Sequence, residues 1–225
     1  MELNPKRRKK VLLVIFGLVS IAIILALIAP EEATLGSYIK LIYIHAAVTW
    51  VGMLMFATSG VLALLSMARM LVSRKYKDSS AKDALVDWSS ASQSTALHFW
   101  ATSVLIGSTA AYLTWGPDFW SMEPRLPVAL FILVLSFAVY QLGQIVTDKM
   151  MRAALNLGLP SFATLLLLVT GKLVHPNNAF AKSGSFEIKL FAGLITLVFI
   201  IVAATSTVLF NAKLKRDSAE VELVG

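Results

Sequence analysis

Six uninterrupted apolar runs, at about 11 to 29, 41 to 68, 92 to 115, 127 to 147, 156 to 172 and 190 to 211, decide what this chain can become. Each has roughly the 20 residues that carry a helix across a hydrocarbon core about 30 Å thick. None alternates polar and apolar residues, as a lipid-facing barrel strand does, and each is about twice the length of such a strand. Composition agrees, with 57% apolar residues, 15% charged residues and a mean hydropathy of +0.76; a soluble domain has roughly 45–50% and 25%. The expected fold is all-α, a six-helix transmembrane bundle. It fills residues 1–225 as a single polytopic membrane domain, with no room for a separate soluble one.

The runs are broken where charge, Pro and Gly gather: Pro30-Glu31-Glu32, Arg69 to Asp87, Trp115 to Pro127, Asp148 to Arg152 and Lys172 to Lys189. The basic stretch Lys6 to Lys10 ahead of the first run has the form of a signal-peptide start. That run exceeds the usual 7 to 15 residues and no A-x-A site precedes Pro30, so an uncleaved first span is expected. Placing the N-terminus inside puts 15 of the 20 Lys and Arg residues on inner segments and 5 on outer loops. The positive-inside rule therefore gives N-in and C-in, and the net charge of +7 reads as a topology signal. The basic patches are short and lack interleaved aromatics, so no nucleic-acid partner is expected.

Cysteine is absent, which excludes a disulfide framework, a thiolate metal site, a Cys nucleophile and covalent haem attachment through C-x-x-C-H. There is no P-loop, H-E-x-x-H, G-x-S-x-G or dinucleotide fingerprint, and no enzymatic activity is expected. What remains for chemistry is three histidines. On this topology His45 enters the second span from its outer end and His175 follows the outer end of the fifth. His98 lies 17 residues before Trp115, roughly 25 Å along the same helix, near the inner face. Two imidazoles on one membrane side are placed to ligate opposite faces of one haem iron. Either alone reads first as an interfacial residue bonded to water or a carbonyl, and it is the pair on one side that favours ligation; His98 reads as a helix–helix hydrogen-bonding group.

Between the third and fourth runs stands Trp115-Gly116-Pro117-Asp118-Phe119-Trp120-Ser121-Met122-Glu123-Pro124-Arg125. This aromatic loop falls on the outer face. It has the makings of a flat apolar platform with an acid, Glu123, and a base, Arg125, on its rim, suited to a planar amphipathic ligand. The competing reading makes Trp115, Phe119 and Trp120 belt anchors and lets Glu123 and Arg125 pair with each other or with water.

Lys40-Leu41-Ile42-Tyr43-Ile44-His45 with Trp50 resembles the start of the second span in CcmC, the haem-handling component of the cytochrome c maturation system. The loop resembles that family's tryptophan-rich signature: Trp115-Gly116 stands at its opening, and Trp120, Met122, Glu123, Arg125 and Leu126 at its later positions. Gly107 fits a glycine of the family's third span, and His175 its second external histidine. Phe119 and Met122 stand where Trp is usual, Glu123 where Asp is, Pro127 where Thr is and Ala47 where Pro is frequent; the Trp pair that usually precedes the second histidine is missing.

The resemblance implies a multi-pass protein of a prokaryotic cytoplasmic membrane that binds haem b non-covalently at the outer face and loads it onto a CcmE-like haem chaperone. A CcmD-like small membrane subunit and an ATP-driven CcmA/CcmB complex are the further implied partners, beside membrane lipid. His45 and His175 are then the axial ligands, and Trp115, Phe119 and Trp120 the platform. Lys172, Lys40 and Arg125 are the cations open to the propionates. Two other readings stand: a b-haem electron-transfer subunit with His98 as inner ligand, and a small-solute transporter, for which no internal repeat or broken-helix pair is visible.

Overall fold

The computed structural model describes residues 4–33, 35–76, 84–171, 180 and 183–224, and they form an α-helical bundle. Its elements are α1 (Pro5–Ile28), α2 (Ile39–Tyr76), α3 (Ala84–Trp115), α4 (Phe119–Met122), α5 (Arg125–Ile145), α6 (Lys149–Val169) and α7 (Phe186–Val224). Among the described residues the only β pairing is an isolated bridge between Glu32 and Gly36.

Local chemistry sets the ends. Asn4 caps α1 by accepting from the Lys6 amide at 3.1 Å, and Pro5 occupies the first turn, where its missing N–H costs nothing. Ala29 is extended before Pro30, and α1 stops there. Asp148 accepts from the Met151 amide at 2.7 Å and starts α6. Trp115 ends α3 because Gly116 takes a φ of 81°, a left-handed conformation glycine adopts without steric cost, and returns its amide to the Tyr112 carbonyl at 2.9 Å.

The helices outrun the apolar segments. The 38 residues of α2 span roughly 57 Å, against a hydrocarbon core of about 30 Å, so helix continues through Arg69 to Tyr76, where a break is expected from charge. Likewise α6 begins at Lys149, not at 156, and the break narrows to residues 146–148. Charged residues stop a span, but they do not stop a helix.

Among the described residues five helices are long and apolar enough to cross a membrane: α1, α2, α5, α6 and α7. Large apolar side chains on their outer faces, among them Phe16, Leu65, Phe131, Leu168 and Leu197, are exposed. The molecule is a helical, multi-pass membrane protein. The expected third span, α3, does not reach the apolarity of the others. It packs against α2, α5, α6 and α7, most extensively α2, and buries a run from Ser89 through Ala91-Ser92-Gln93-Ser94-Thr95 to Leu97. A central helix faces other helices, so small and polar residues serve it where a lipid-facing helix needs apolar ones.

Contacts fix the relative directions. His45 and Thr49 of α2 meet Ser103 of α3, and Ser59 meets Ser89, so these two helices are antiparallel. Thr95 meets Thr207 and Phe99 meets Phe199, making α7 antiparallel to α3 as well. Lys40 donates to the Leu27 carbonyl at 2.7 Å, and Arg125 to the Leu167 carbonyl at 3.2 Å. The ends of α1, α3 and α6 and the starts of α2, α5 and α7 thus gather with α4 at one end of the bundle, here called the loop end.

Candidate functional site at the loop end

His45 sits a turn and a half into α2, half-buried. Its ring lies against Gly107 of α3 so closely that a Cβ there would stand 2.5 Å from Cε1 and 2.8 Å from Nδ1. Nδ1 is 3.2 Å from the Ser103 carbonyl oxygen. A carbonyl only accepts, so in this contact Nδ1 is the donor, and the backbone of α3 orients the ring. One turn on, Thr49 donates to the His45 carbonyl at 2.7 Å and its hydroxyl meets that of Ser103 at 2.5 Å. Sequence reasoning found Gly107 but missed Ser103. The signal was present as the small residues Ser103, Gly107 and Ala111, four apart on α3, a spacing that lets helix backbones approach.

The loop is folded, not flat. Phe119 to Met122 make one helical turn, and Ser121 donates to the Asp118 carbonyl at 2.8 Å. Phe119 is buried, edge-on to Tyr112 at 6.3 Å and tilted against Trp120 at 5.0 Å. It therefore props the loop from beneath and offers no open face, contrary to its expected part in a platform. Trp120 is exposed and Trp115 half-buried.

Glu123 corrects the expectation more strongly. In place of a rim acid it is buried, 1% exposed, and accepts from the Arg125 amide at 3.2 Å. Burying a carboxyl demands partners, and Glu123 has further interaction beyond that amide. Arg125 is half-buried; one guanidinium nitrogen donates to Leu167 at the end of α6, and buried Nε has no partner among the described residues. Both residues tie the loop to the bundle. Lys40 is engaged too, on the Leu27 carbonyl and 3.7 Å from Glu31.

His175 and Lys172 lie outside the described residues. The connection that carries them leaves α6 and enters α7 at the loop end. His98 lies far from this end, on the opposite half of α3. There Nδ1 meets its own helix at the Ser94 carbonyl, 2.7 Å away, and the ring packs on Phe210 of α7 at 5.0 Å. The expected bond to another helix is replaced by ring packing.

Not everything at the loop end converges. Gly107, and with it His45, is eight residues below Trp115, about 12 Å along α3. A groove of about 410 Å³ between α2 and α7, lined by Tyr43, Ala46, Ala47, Trp50, Phe180 and Gly193 among others, opens on a different face of α2 from His45. Tyr43 and Phe180 stack across its rim at 4.7 Å. Among the described residues no group of three or more His, Cys, Asp or Glu is placed to hold a metal ion; a porphyrin-held iron needs from a protein only axial donors. No family model matches the chain, and no curated protein matches it.

Proposed function

We propose that this protein binds haem non-covalently at the outer face of a cytoplasmic membrane and passes it to a membrane-tethered haem chaperone in cytochrome c maturation. In this reading α3 is the sixth span and the loop end faces outward, an orientation the Lys and Arg distribution supports. When bound, haem would supply an iron centre that His45 and His175 would hold. The observation that carries the proposal is His45: its Nδ1 is held on the Ser103 carbonyl, and Gly107 leaves the ring the space it occupies.

The residues present fit that group in part. His45 is the proposed first ligand, and the carbonyl on Nδ1 is the kind of outer partner that orients ligating histidines. His175 is the proposed second ligand. Trp115 and Trp120 offer apolar ring surface at low entropic cost, with Phe119 holding Trp120 in place. Arg125, whose Nε is uncommitted among the described residues, and Lys172 are the cations proposed for the propionates; Glu123 steadies Arg125 through the Arg125 amide. Lys40 is tied to α1 and is dropped from that role. The CcmE-like chaperone, the CcmD-like subunit and the CcmA/CcmB complex remain the proposed partners.

A b-haem electron carrier would need ligands near both membrane faces. His98 packs on Phe210 and its own helix, and among the described residues no second imidazole is placed at that level. The deciding experiment follows covalent haem on the chaperone in cells with and without this protein. Loading should fall to background when the gene is removed and return with the intact copy; normal loading in its absence would overturn the proposal.

A further inference from the structure

Gln93 is out of keeping with its surroundings. It lies in the first third of α3, on the side of His98 away from the loop end, 3% exposed, and among the described residues neither Oε1 nor Nε2 has a hydrogen-bond partner. Its neighbours on the helix show where it points. Ser89, four residues earlier, bonds Ser59 of α2, and Ser90, three residues earlier, accepts from Asn156 Nδ2 of α6 at 3.0 Å. Residues three and four apart share a face, so Gln93 lies on the face of α3 between α2 and α6.

The same junction holds a gap in the hydrogen-bond ladder of α6. Pro160 lies inside that helix and has no N–H for the Asn156 carbonyl four residues back. Helices α3 and α6 run parallel, so with Ser90 level with Asn156, Gln93 is level with Leu159 and Pro160. The third wall is α2: Gly60 backs onto the proline ring, where a Cβ would stand 3.2 Å from Pro160 Cγ. A two-donor, two-acceptor amide and a carbonyl without its helical donor therefore meet at one level, in a setting otherwise lined by Phe56, Ala96 and Leu159.

We propose that the junction of α2, α3 and α6 is a binding site for a buried water molecule that bridges the Gln93 amide and the Asn156 carbonyl. The ligand chemistry follows from the partners. A cation would serve the oxygens and leave the Gln93 Nε2 hydrogens unmatched, whereas water both donates and accepts. The oxygens and N–H groups brought together here are those a single small hydrogen-bonding molecule can serve, and polar sites of this kind hold ordered water. Inside a membrane, ordered water is one of the means by which a proline-broken helix satisfies its freed carbonyl. The site thus lets α6 carry Pro160 and still deliver Leu167 to Arg125 at the loop end.

The chain has three glutamines, and Gln141 and Gln144 are exposed. Solid-state NMR of the full-length protein in lipid bilayers, with glutamine labelled with ¹⁵N, therefore resolves the question. The Gln93 side-chain signals are identified by their disappearance in Gln93→Leu. Magnetisation transfer from water to the Gln93 amide protons is expected in the natural sequence, with loss of most of that transfer in Pro160→Ala, which returns a donor to Asn156. Absence of transfer in the natural sequence overturns the site whatever the variants do. Undiminished transfer in a folded Pro160→Ala protein overturns the bridge to Asn156.

Discussion

The ring of His45 is held by two features of α3 that act differently, and substitution separates them. Ser103 contributes its carbonyl, which survives replacement of the side chain, so Ser103→Ala removes only the hydroxyl contact with Thr49. A loss of about 0.6 kcal/mol is expected, the average for hydrogen bonds between membrane helices. Gly107→Ala instead places a methyl 2.5 Å from Cε1. The ring then leaves its carbonyl partner or the helices part, and overpacking of this kind costs about 1–3 kcal/mol. Unfolding titrations in mixed micelles should rank the two variants in that order; equal losses would show that the ring is not seated on Gly107. Glu123 belongs at this scale as well. Its carboxyl is buried and takes the Arg125 amide, so Glu123→Ala should destabilise the protein by about 1–3 kcal/mol. A surface acid would change it by less than about 0.5 kcal/mol, and the same titration tells the two apart.

Among the elements, α3 carries the polar contacts that fix neighbouring helices: Ser89 with Ser59, Thr95 with Thr207 at 2.8 Å, Ser90 with Asn156, and Trp100 Nε1 with the Ala129 carbonyl at 3.0 Å. Each is worth little alone. Thr95→Val and Ser59→Ala should each cost about 0.6 kcal/mol, and the pair should add because the contacts join different helices; a double variant far less stable than the sum would reveal one coupled network. The long apolar runs made the helices themselves legible from the residues, because in lipid the backbone has no other way to satisfy its own polar groups. The central place of α3 was not. Its Ser, Thr and Gln residues lower its apolarity for the reason that makes it central, contact with helices and not lipid, and a linear sequence does not distinguish that from a weak span. The burial of Phe119 and Glu123 was illegible for a related reason. Whether a loop lies flat or folds back depends on contacts such as that of Arg125, beside Glu123, with the Leu167 carbonyl 42 residues on.

At the scale of the whole molecule, one end of the bundle collects the exposed Trp120, the half-buried Trp115, Arg125 and His45. If the tryptophans were only interfacial anchors, replacing both by Leu would leave haem content unchanged. On the proposed function, Trp115→Leu/Trp120→Leu lowers haem content or transfer several-fold while the protein still inserts. Haem per protein, measured by pyridine haemochrome, decides between them. The central claim is that His45 is an iron ligand, and the absorption spectrum of the purified protein tests it most directly. The natural sequence should show a six-coordinate, low-spin haem; His45→Ala should move it toward high spin or lose it, and His98→Ala should leave it as it was. A low-spin spectrum unchanged in His45→Ala would contradict the claim.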